Sequence, residues 1–232
     1  MIRAAQLAQM AGALNRSQFA RLIDHTLLKA SATQHDLARL CEEACRFGFA
    51  AVSVNPVWVP FCAARLKGTP VGVDACVGFP LGANTAAVKQ QEAAEAVANG
   101  ATEIDMVINI GALRSGYADY VKKEIAAVVR AARNVPVKVI LETGYLTIEE
   151  IVRVCEMSME TRAAYVKTST GFGERGAAVE DVRIMRSVVG DQMGVKAAGG
   201  IRTYAAALSM IQAGANRIGT SAGIPILQEM PA

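Results

Sequence analysis

The chain has 232 residues, of which 52% are hydrophobic and 19% are charged, and its formal net charge is +3. This composition is typical of a globular protein, and no basic stripe indicates a nucleic-acid or membrane-surface partner. No apolar run approaches the roughly 18–20 residues that a membrane span requires. We therefore expect a folded protein with no nucleic-acid and no membrane partner.

The first twenty residues contain no acidic side chain and resemble a targeting segment in composition. Gln6 and Gln9 interrupt their apolar stretch, which argues against a secretory signal. The preferred interpretation is a short amphipathic helix that lies against the fold, and a transit peptide is the alternative. No linker or change of composition follows, so residues 1–232 are predicted to form one domain with residues 1–20 as an N-terminal helical extension.

Short runs rich in β-branched residues recur along the chain and predict eight strands. They span residues 21–28, 49–56, 71–80, 102–109, 136–143, 163–169, 194–200 and 215–221. Alanine-rich segments with helical spacing separate most of them, including residues 85–100, 117–132 and 147–160. Thr147 followed by Glu150 is a capping-box pattern, which predicts that the third of these helices begins there.

The joints between helices and strands favour a parallel sheet. Gly48, Gly100 and Gly214 each follow a helical segment and precede an apolar run, and glycine suits the left-handed backbone that ends many helices. Repeated strand–helix–strand units imply parallel strands, and eight of them predict an α/β fold, the (β/α)8 TIM barrel. A doubly wound open sheet is the alternative, but the glycine fingerprint that normally follows its first strand is missing.

The five cysteines and two histidines lack the spacing of a disulfide framework, a zinc ribbon or an HExxH motif. An odd cysteine count without CxxC spacing indicates a reducing, cytoplasmic setting. If the protein is an enzyme, we expect it to work without a catalytic zinc ion.

Several predicted strands carry polar residues near their C-terminal ends. Side chains along a strand alternate between two faces, and both faces are buried in a barrel, so an ionisable residue there needs an explanation. Inward-facing side chains converge near the end of the barrel where active sites lie. The candidates are Asp24, Thr26, Ser53, Asn55, Asp105, Lys138, Glu142, Lys167 and Lys196.

Structural roles compete with function at these positions. Asp24 is equally consistent with capping a local turn, and ion pairing at the strand ends is favoured for Lys138 and Glu142. Lys167 and Lys196 give the strongest functional signal, because they lie on adjacent predicted strands and each follows a valine and precedes small residues.

Small residues with phosphate-binding character follow the last two strands, in segments 197–203 and 217–223. Barrels often bind phosphate with backbone amides from these two loops, assisted by a short helix N-terminus. Gly199, Gly200 and Gly219 would let the backbone approach an anion closely. The alternative is that these glycines only form tight turns.

A lysine in a site without a metal or cofactor motif has one well-known use, the attack of its neutral amine on a carbonyl to form a Schiff base. An ordinary lysine has a pKa near 10.4, and both burial and a neighbouring ammonium lower that value. Lys167 and Lys196 supply such a pair, and Asp105, between apolar neighbours, supplies a carboxylate for proton transfer. These residues predict a class I aldolase acting on a small phosphorylated carbonyl compound, and they leave open which lysine attacks.

Seven segments between about residue 20 and about residue 225 together resemble the deoxyribose-phosphate aldolase family, in the family's order and approximate spacing. They are DHTLL (24–28), VGFPLG (77–82), EIDMVINIG (103–111), KVILETG (138–144), VKTSTGFG (166–173), GVKAAGGIRT (194–203) and RIGTSAG (217–223). The resemblance implies a (β/α)8 barrel with no metal and no cofactor. It also implies reversible cleavage of 2-deoxy-D-ribose 5-phosphate to acetaldehyde and D-glyceraldehyde 3-phosphate, in deoxyribose catabolism.

The resemblance also assigns roles to individual residues. It implies that Lys167, in KTSTG, forms the Schiff base, that Lys196 tunes it and transfers protons, and that Asp105 is a proton relay. The substrate-binding positions that it implies are Asp24, Thr26, Thr170, Gly171, Gly199, Gly200, Gly219 and Ser221.

This chain departs from the family pattern at two positions near the phosphate-binding segments. Phe172 stands where some members carry a lysine, and Ala222 where some carry a second serine. Both changes weaken the expected grip on phosphate, and the chain ends with ILQEMPA, which leaves little tail for the site. The family suggests a homodimer or higher homo-oligomer. Another phosphate-binding barrel enzyme, such as a synthase, and a non-catalytic sugar-phosphate sensor are the alternatives.

Overall fold

The computed structural model describes residues 4–231, except for the side chain of Ala5, and contains eight parallel strands in a closed barrel. Each strand pairs with its neighbours in chain order, and the last pairs with the first. The strands are β1 (Ile23–Leu27), β2 (Ala51–Val54), β3 (Gly72–Val77), β4 (Glu103–Val107), β5 (Val137–Ile140), β6 (Tyr165–Lys167), β7 (Gly194–Ala198) and β8 (Arg217–Thr220). The predicted barrel is confirmed, and the open-sheet alternative is wrong.

Helices connect the strands and surround the barrel. They are α1 (Ala4–Met10), α2 (Arg16–Ala20), α3 (Gln34–Phe47), α4 (Val59–Leu66), α5 (Ala86–Ala98), α6 (Ile110–Arg114), α7 (Ala118–Ala131), α8 (Ile148–Glu160), α9 (Val179–Val189), α10 (Tyr204–Gln212) and α11 (Gly223–Gln228). Short 3-10 turns cover Ala11–Ala13, Pro56–Trp58 and Thr143–Tyr145. Within residues 4–231, no helix combines the length and the apolar character that crossing a bilayer requires.

The local signals at the ends of the elements act as predicted. Thr147 and Glu150 form a complete capping box at the start of α8. Gly48, Gly100 and Gly214 adopt positive φ angles of 72°, 101° and 115°, the left-handed region in which glycine avoids a steric penalty. Each glycine therefore turns the chain from a helix into the next strand.

Alternation along the strands separates an apolar layer from a polar interior. The outward-facing strand residues belong to one continuous apolar cluster between the barrel and the helices, which includes Val52, Val54, Val73, Ala75, Val77, Ile104, Met106, Val137, Val139, Val166, Val195, Ala197 and Ile218. Burial of this surface is the main force that closes the barrel. The inward-facing residues between them are free to carry polar groups at the barrel axis.

The predicted N-terminal helical extension is confirmed over its described part, and Met1–Arg3 lie outside the described residues. Leu7, Ala11 and Leu14 are buried in the main apolar cluster, where the extension packs against α10. The backbone N–H of Ala4 also donates to the Asp191 carboxylate at 3.1 Å. The segment is therefore an integral part of the apolar core.

Candidate active site

The barrel interior contains four carboxylates and four cationic side chains in one connected set of ion pairs. They are Asp24, Asp74, Glu103, Asp105, Lys138, Lys167, Lys196 and Arg217. Their formal charges cancel, which is the condition under which so many ionic groups are tolerated in a dry interior. We call this set the interior cluster.

Lys167 ends β6 and lies opposite Lys196 of β7 in the strand register. Its side chain is 3% exposed, and its Nζ donates to Asp105 Oδ2 at 2.6 Å. The chain reaches this geometry because Val166 and Val195 direct their side chains into the outer apolar layer, which turns both lysines inward. The two lysines singled out from the sequence are therefore neighbours.

Lys196 lies close to three carboxylates and donates hydrogen bonds to two of them, Asp74 and Asp105. Its Nζ lies 2.6 Å from Asp24 Oδ2, 2.7 Å from Asp105 Oδ2 and 3.0 Å from Asp74 Oδ2. Burial lowers the pKa of Lys196, but Asp105, Asp24 and Asp74 raise it by more, so its pKa lies above the ordinary lysine value. Lys196 is therefore a firmly held, charged group in the free protein.

Asp105 forms ion pairs with lysines on three different strands. Its Oδ2 bonds Lys167 and Lys196, and its Oδ1 lies 2.9 Å from Lys138 Nζ. Burial raises the pKa of Asp105, but Lys138, Lys167 and Lys196 together hold it well below the usual range. A single ionised oxygen thus connects the two candidate catalytic lysines, which suits a proton relay.

Asp24 lies deeper in the barrel. Its side chain is fully buried, and its Oδ1 accepts from Arg217 at 2.6 Å while its Oδ2 pairs with Lys196. Burial raises the pKa of Asp24, but Arg217, Lys196 and Lys138 hold it below its ordinary value. Asp24 therefore contacts Lys196 inside the barrel, and it does not line the cavity at the carboxyl ends of the strands.

A cavity of about 260 Å³ opens at the carboxyl ends of the strands, directly above the interior cluster. Of the site residues predicted from the sequence, its lining includes Thr26, Lys167, Thr170, Gly171, Gly199, Gly200, Gly219 and Ser221. Asp105 and Lys196 are not part of this lining. Asp105 is linked to it by its hydrogen bond with Lys167, and Lys196 is linked to it through Asp105. The cavity is of a size that suits a small substrate with its reactive carbon over Lys167 Nζ.

The loops after β6 and β7 meet through glycine backbones at one wall of the cavity. A Cβ on Gly199 would lie 2.9 Å from Gly176 Cα and 3.3 Å from Gly171 Cα, so only glycine allows this contact. Gly171, Gly199 and Gly200 have φ angles of 86°, 89° and 77°. The exposed Ser221 lies in the adjacent loop after β8. Backbone amides and a hydroxyl on one wall are the donors that a phosphate group requires.

Thr170 is in the cavity lining, but its hydroxyl already has a partner. The backbone N–H of Thr170 donates to Glu142 Oε2 at 3.0 Å, and its hydroxyl donates to the same oxygen. The N–H of Phe172 donates in turn to the Thr170 hydroxyl at 3.0 Å. Glu142 therefore fixes the loop after β6, in agreement with the structural role that the sequence favoured for it.

Two cationic side chains at the cavity were not identified from the sequence. Lys29, after β1, and Arg202, after β7, are exposed residues of the lining. Neither forms an ion pair within residues 4–231. Phe172 is 56% exposed and packs edge-on against Phe79. The positive charge at the cavity mouth thus comes from other loops.

We expect Gly199→Ala to destabilise the protein more than Gly200→Ala. Both residues have a left-handed backbone, which costs about 1–2 kcal/mol for alanine. Only the new methyl group at position 199 would meet backbone atoms, whereas nothing lies within 4 Å of the position that a Gly200 Cβ would occupy. Denaturant unfolding of both variants measures the difference, and equal losses would contradict the backbone contact.

Sequence reasoning also missed three members of the interior cluster, Asp74, Glu103 and Arg217. Asp74 stands among apolar residues in GVDACV, and the criterion that identified Asp105 would have found it. Glu103 precedes Asp105 by two residues and shares its inward face. Arg217 carried no comparable signal, because it is the first residue of its strand.

Comparisons with known proteins show the family to which the chain belongs. The model of the DeoC/LacD family aldolases matches residues 19–229. A deoxyribose-phosphate aldolase from Caldanaerobacter subterraneus subsp. tengcongensis is 58% identical over 213 residues, which cover 90% of this chain and 92% of that protein. A protein of the same name from Thermococcus kodakarensis is 55% identical over 222 residues, which cover 94% of this chain and 99% of the relative.

A solved structure extends the agreement to three dimensions. The deoxyribose phosphate aldolase from Aeropyrum pernix, described as having a unique tetrameric structure, superposes with a TM-score of 0.89 at 32% identity. The match covers 96% of this chain and 95% of that one. This chain therefore shares nearly its whole fold with the Aeropyrum pernix protein. The paired interior lysines, the cavity above them and these matches lead to one conclusion: the chain belongs to the DeoC/LacD family of aldolases.

Proposed function

We propose that the protein is a deoxyribose-phosphate aldolase that cleaves 2-deoxy-D-ribose 5-phosphate reversibly to acetaldehyde and D-glyceraldehyde 3-phosphate, through a Schiff base on Lys167. The observation that carries this proposal is the position of Lys167 Nζ, at the cavity floor and 2.6 Å from an Asp105 oxygen that also binds Lys196. The names of the relatives from Caldanaerobacter and Thermococcus support the substrate.

The first stage forms the covalent intermediate. The Lys167 ammonium loses a proton, which Asp105 can pass on through water because it touches both lysines. The neutral amine attacks the C1 aldehyde of the open-chain sugar, and loss of water gives an iminium ion. This iminium is the electron sink that the next stage needs.

The second stage breaks the C2–C3 bond of the sugar. A proton leaves the C3 hydroxyl, the C3–O bond becomes a carbonyl, and the electron pair of the C2–C3 bond moves into the iminium to give an enamine. Asp105 and Lys196 relay that proton through water to C2 of the enamine. Hydrolysis of the resulting iminium releases acetaldehyde and returns Lys167 as the free amine.

The phosphate group is proposed to lie against the glycine loops and beside the two rim cations. Gly171, Gly199 and Gly200 bring backbone without side chains to the cavity lining, and Lys29 and Arg202 supply positive charge there. Thr26, near the end of β1, and Ser221, in the loop after β8, add hydroxyls to the lining. Asp24 is proposed to support the substrate indirectly, through Lys196.

Lys29→Met is expected to raise KM for deoxyribose 5-phosphate about fivefold and to leave KM for unphosphorylated deoxyribose unchanged. A solvent-exposed charge pair contributes about 1 kcal/mol, and only the phosphorylated substrate offers the partner. The matched control is Lys67→Met, which removes the same charge from the end of α4, outside the cavity lining. Equal effects of Lys29→Met on both substrates would contradict a phosphate contact.

Borohydride trapping tests the proposed function directly. The protein is incubated with acetaldehyde, reduced, digested and examined by peptide mass spectrometry. An adduct on Lys167 supports the proposal, whereas an adduct on Lys196, or none on any lysine, overturns the assignment. Insensitivity to borohydride together with binding of the sugar phosphate would favour a synthase or a sensor instead.

The assembly, the location and the domain organisation are also proposals. The tetramer described for the Aeropyrum pernix protein supports a homo-oligomer. All five cysteines are free thiols, and four of them are buried, which supports a reducing cytoplasmic setting. The continuous apolar cluster from Leu7 to Met230 supports one domain.

A further inference from the structure

Asp74 belongs to the interior cluster but has no role in the proposed mechanism. Its Oδ1 accepts from Lys138 at 2.9 Å, and its Oδ2 accepts from Lys196 at 3.0 Å. Asp105 contacts the same two lysines, through Oδ1 to Lys138 and Oδ2 to Lys196. The four side chains therefore form a closed ring of alternating charge, with Lys167 attached to Asp105 from outside the ring.

We propose that Asp74 is a positioning residue for the aldol reaction: it closes this four-membered ring and so fixes Lys196 and Asp105 against Lys167. The proposal rests on the proposed Schiff base at Lys167. Asp74 is fully buried and is not part of the cavity lining, so it acts through the lysines and does not touch substrate.

The ring gives each member a fixed orientation. Without Asp74, Lys196 would keep only Asp24 and Asp105, and one of its ammonium hydrogens would lose its acceptor. Lys138 would keep its ion pairs with Glu103 and Asp105 but lose its hydrogen bond to Asp74. Since one oxygen of Asp105 receives both Lys167 and Lys196, a change in the tilt of its carboxylate alters both contacts at once.

Asp74 also sets the charge of the ring. Two carboxylates and two ammonium groups cancel within it, and removal of the Asp74 charge leaves an excess positive charge near Lys167. An added or removed charge at such distances moves a titration by about one pH unit or more. Burial and the neighbouring Asp105 raise the pKa of Asp74 above the ordinary value, against Lys138 and Lys196.

Apart from β2, which contributes the neutral Ser53, each strand of the barrel carries ionisable groups in or around the ring. They are Asp24, Cys76, Glu103, Lys167 and Arg217, in addition to the four ring members. Burial raises the pKa of Cys76 to about 12, so this thiol stays neutral across the working range. Cys76 therefore does not contribute to the pH dependence of the ring near neutral pH.

The test is the pH dependence of borohydride trapping with acetaldehyde, measured by intact mass for the wild-type chain and for Asp74→Asn. The amide keeps the shape of Asp74 but removes its charge. We expect the midpoint pH of trapping to fall by about one unit, because the excess positive charge favours the free amine. We also expect kcat for deoxyribose 5-phosphate to fall about tenfold with KM within twofold of wild type, since the cavity lining is unchanged.

A compensating variant separates charge from shape. Lys138→Met removes a cation from the other side of the ring and should raise the midpoint, and Asp74→Asn/Lys138→Met should return it close to the wild-type value. If Asp74→Asn alone does not fold, the double variant is compared with Lys138→Met. Identical midpoints in that pair would overturn the proposal.

Glu124→Gln is the matched control for a merely structural role. Glu124 is a fully buried carboxylate paired with Lys89 at 2.8 Å between α5 and α7, outside the barrel interior. It should lower thermal stability without moving the trapping midpoint. A midpoint for Asp74→Asn equal to that of wild type, with Lys167 trapped in both, would refute this inference alone. A wild-type chain that traps no lysine would refute the proposed function instead.

Discussion

Lys167→Leu is expected to abolish trapping and to lower kcat/KM for deoxyribose 5-phosphate by at least about 10⁴-fold, because Lys167 is the buried amine of the cavity lining, whereas Lys29, the other lysine of that lining, is exposed to solvent and outside the interior cluster. Lys196 is not part of the lining, and its ammonium group pairs with three carboxylates, so it is not placed to substitute as the nucleophile. The fold should survive, since Asp105 keeps Lys138 and Lys196 as partners.

Lys167→Arg distinguishes the nucleophile from its charge. Arginine preserves a cation beside Asp105 but remains protonated at any working pH, so it cannot attack a carbonyl. We expect this variant to be as inactive as Lys167→Leu and to retain more of the wild-type thermal stability. Trapping, turnover and circular dichroism measure these effects together. Substantial turnover in either variant would show that the reaction does not pass through a Schiff base on Lys167.

The fold was largely predictable because its signals are local. Eight β-branched runs, the capping box at Thr147 and the glycines at Gly48, Gly100 and Gly214 each report on the few residues around them. The strand bounds were less accurate, and the run predicted at 163–169 contains only the three-residue strand Tyr165–Lys167. Beyond Lys167 the chain leaves the sheet, because Thr170 bonds Glu142 and Gly171 takes a left-handed backbone.

The site was predictable only in part, because its contacts join residues far apart in sequence. Parity along the strands indicates that Lys167, Lys196 and Asp105 face inward, but it does not give the tilt that brings particular atoms together. Lys196 bonds Asp74 across a separation of 122 residues, and no pattern in the sequence reports that distance. The same holds for Lys29, whose place at the cavity follows from how the loop after β1 folds over the barrel end.

Loss of Lys196 is expected to have the second largest effect, on both stability and reactivity. Lys196→Leu leaves Asp24, Asp74 and Asp105 without a shared cation in a dry interior. Removal of one partner from a buried ion pair costs about 3–5 kcal/mol, and we expect a loss of this size in the free energy of unfolding. Loss of a proton-transfer group should also lower kcat by about 10²–10⁴-fold.

The pH dependence of Lys196→Leu identifies how Lys196 acts. A positive charge next to Lys167 disfavours a second ammonium there, so its removal should raise the midpoint pH of Schiff-base trapping by about one unit, opposite in sign to Asp74→Asn. Lys89→Leu is the matched control, since Lys89 is also fully buried and pairs with Glu124, but it lies outside the barrel interior. It should cost comparable stability and leave the midpoint unchanged. A wild-type midpoint in Lys196→Leu would show that Lys196 transfers protons without tuning the nucleophile.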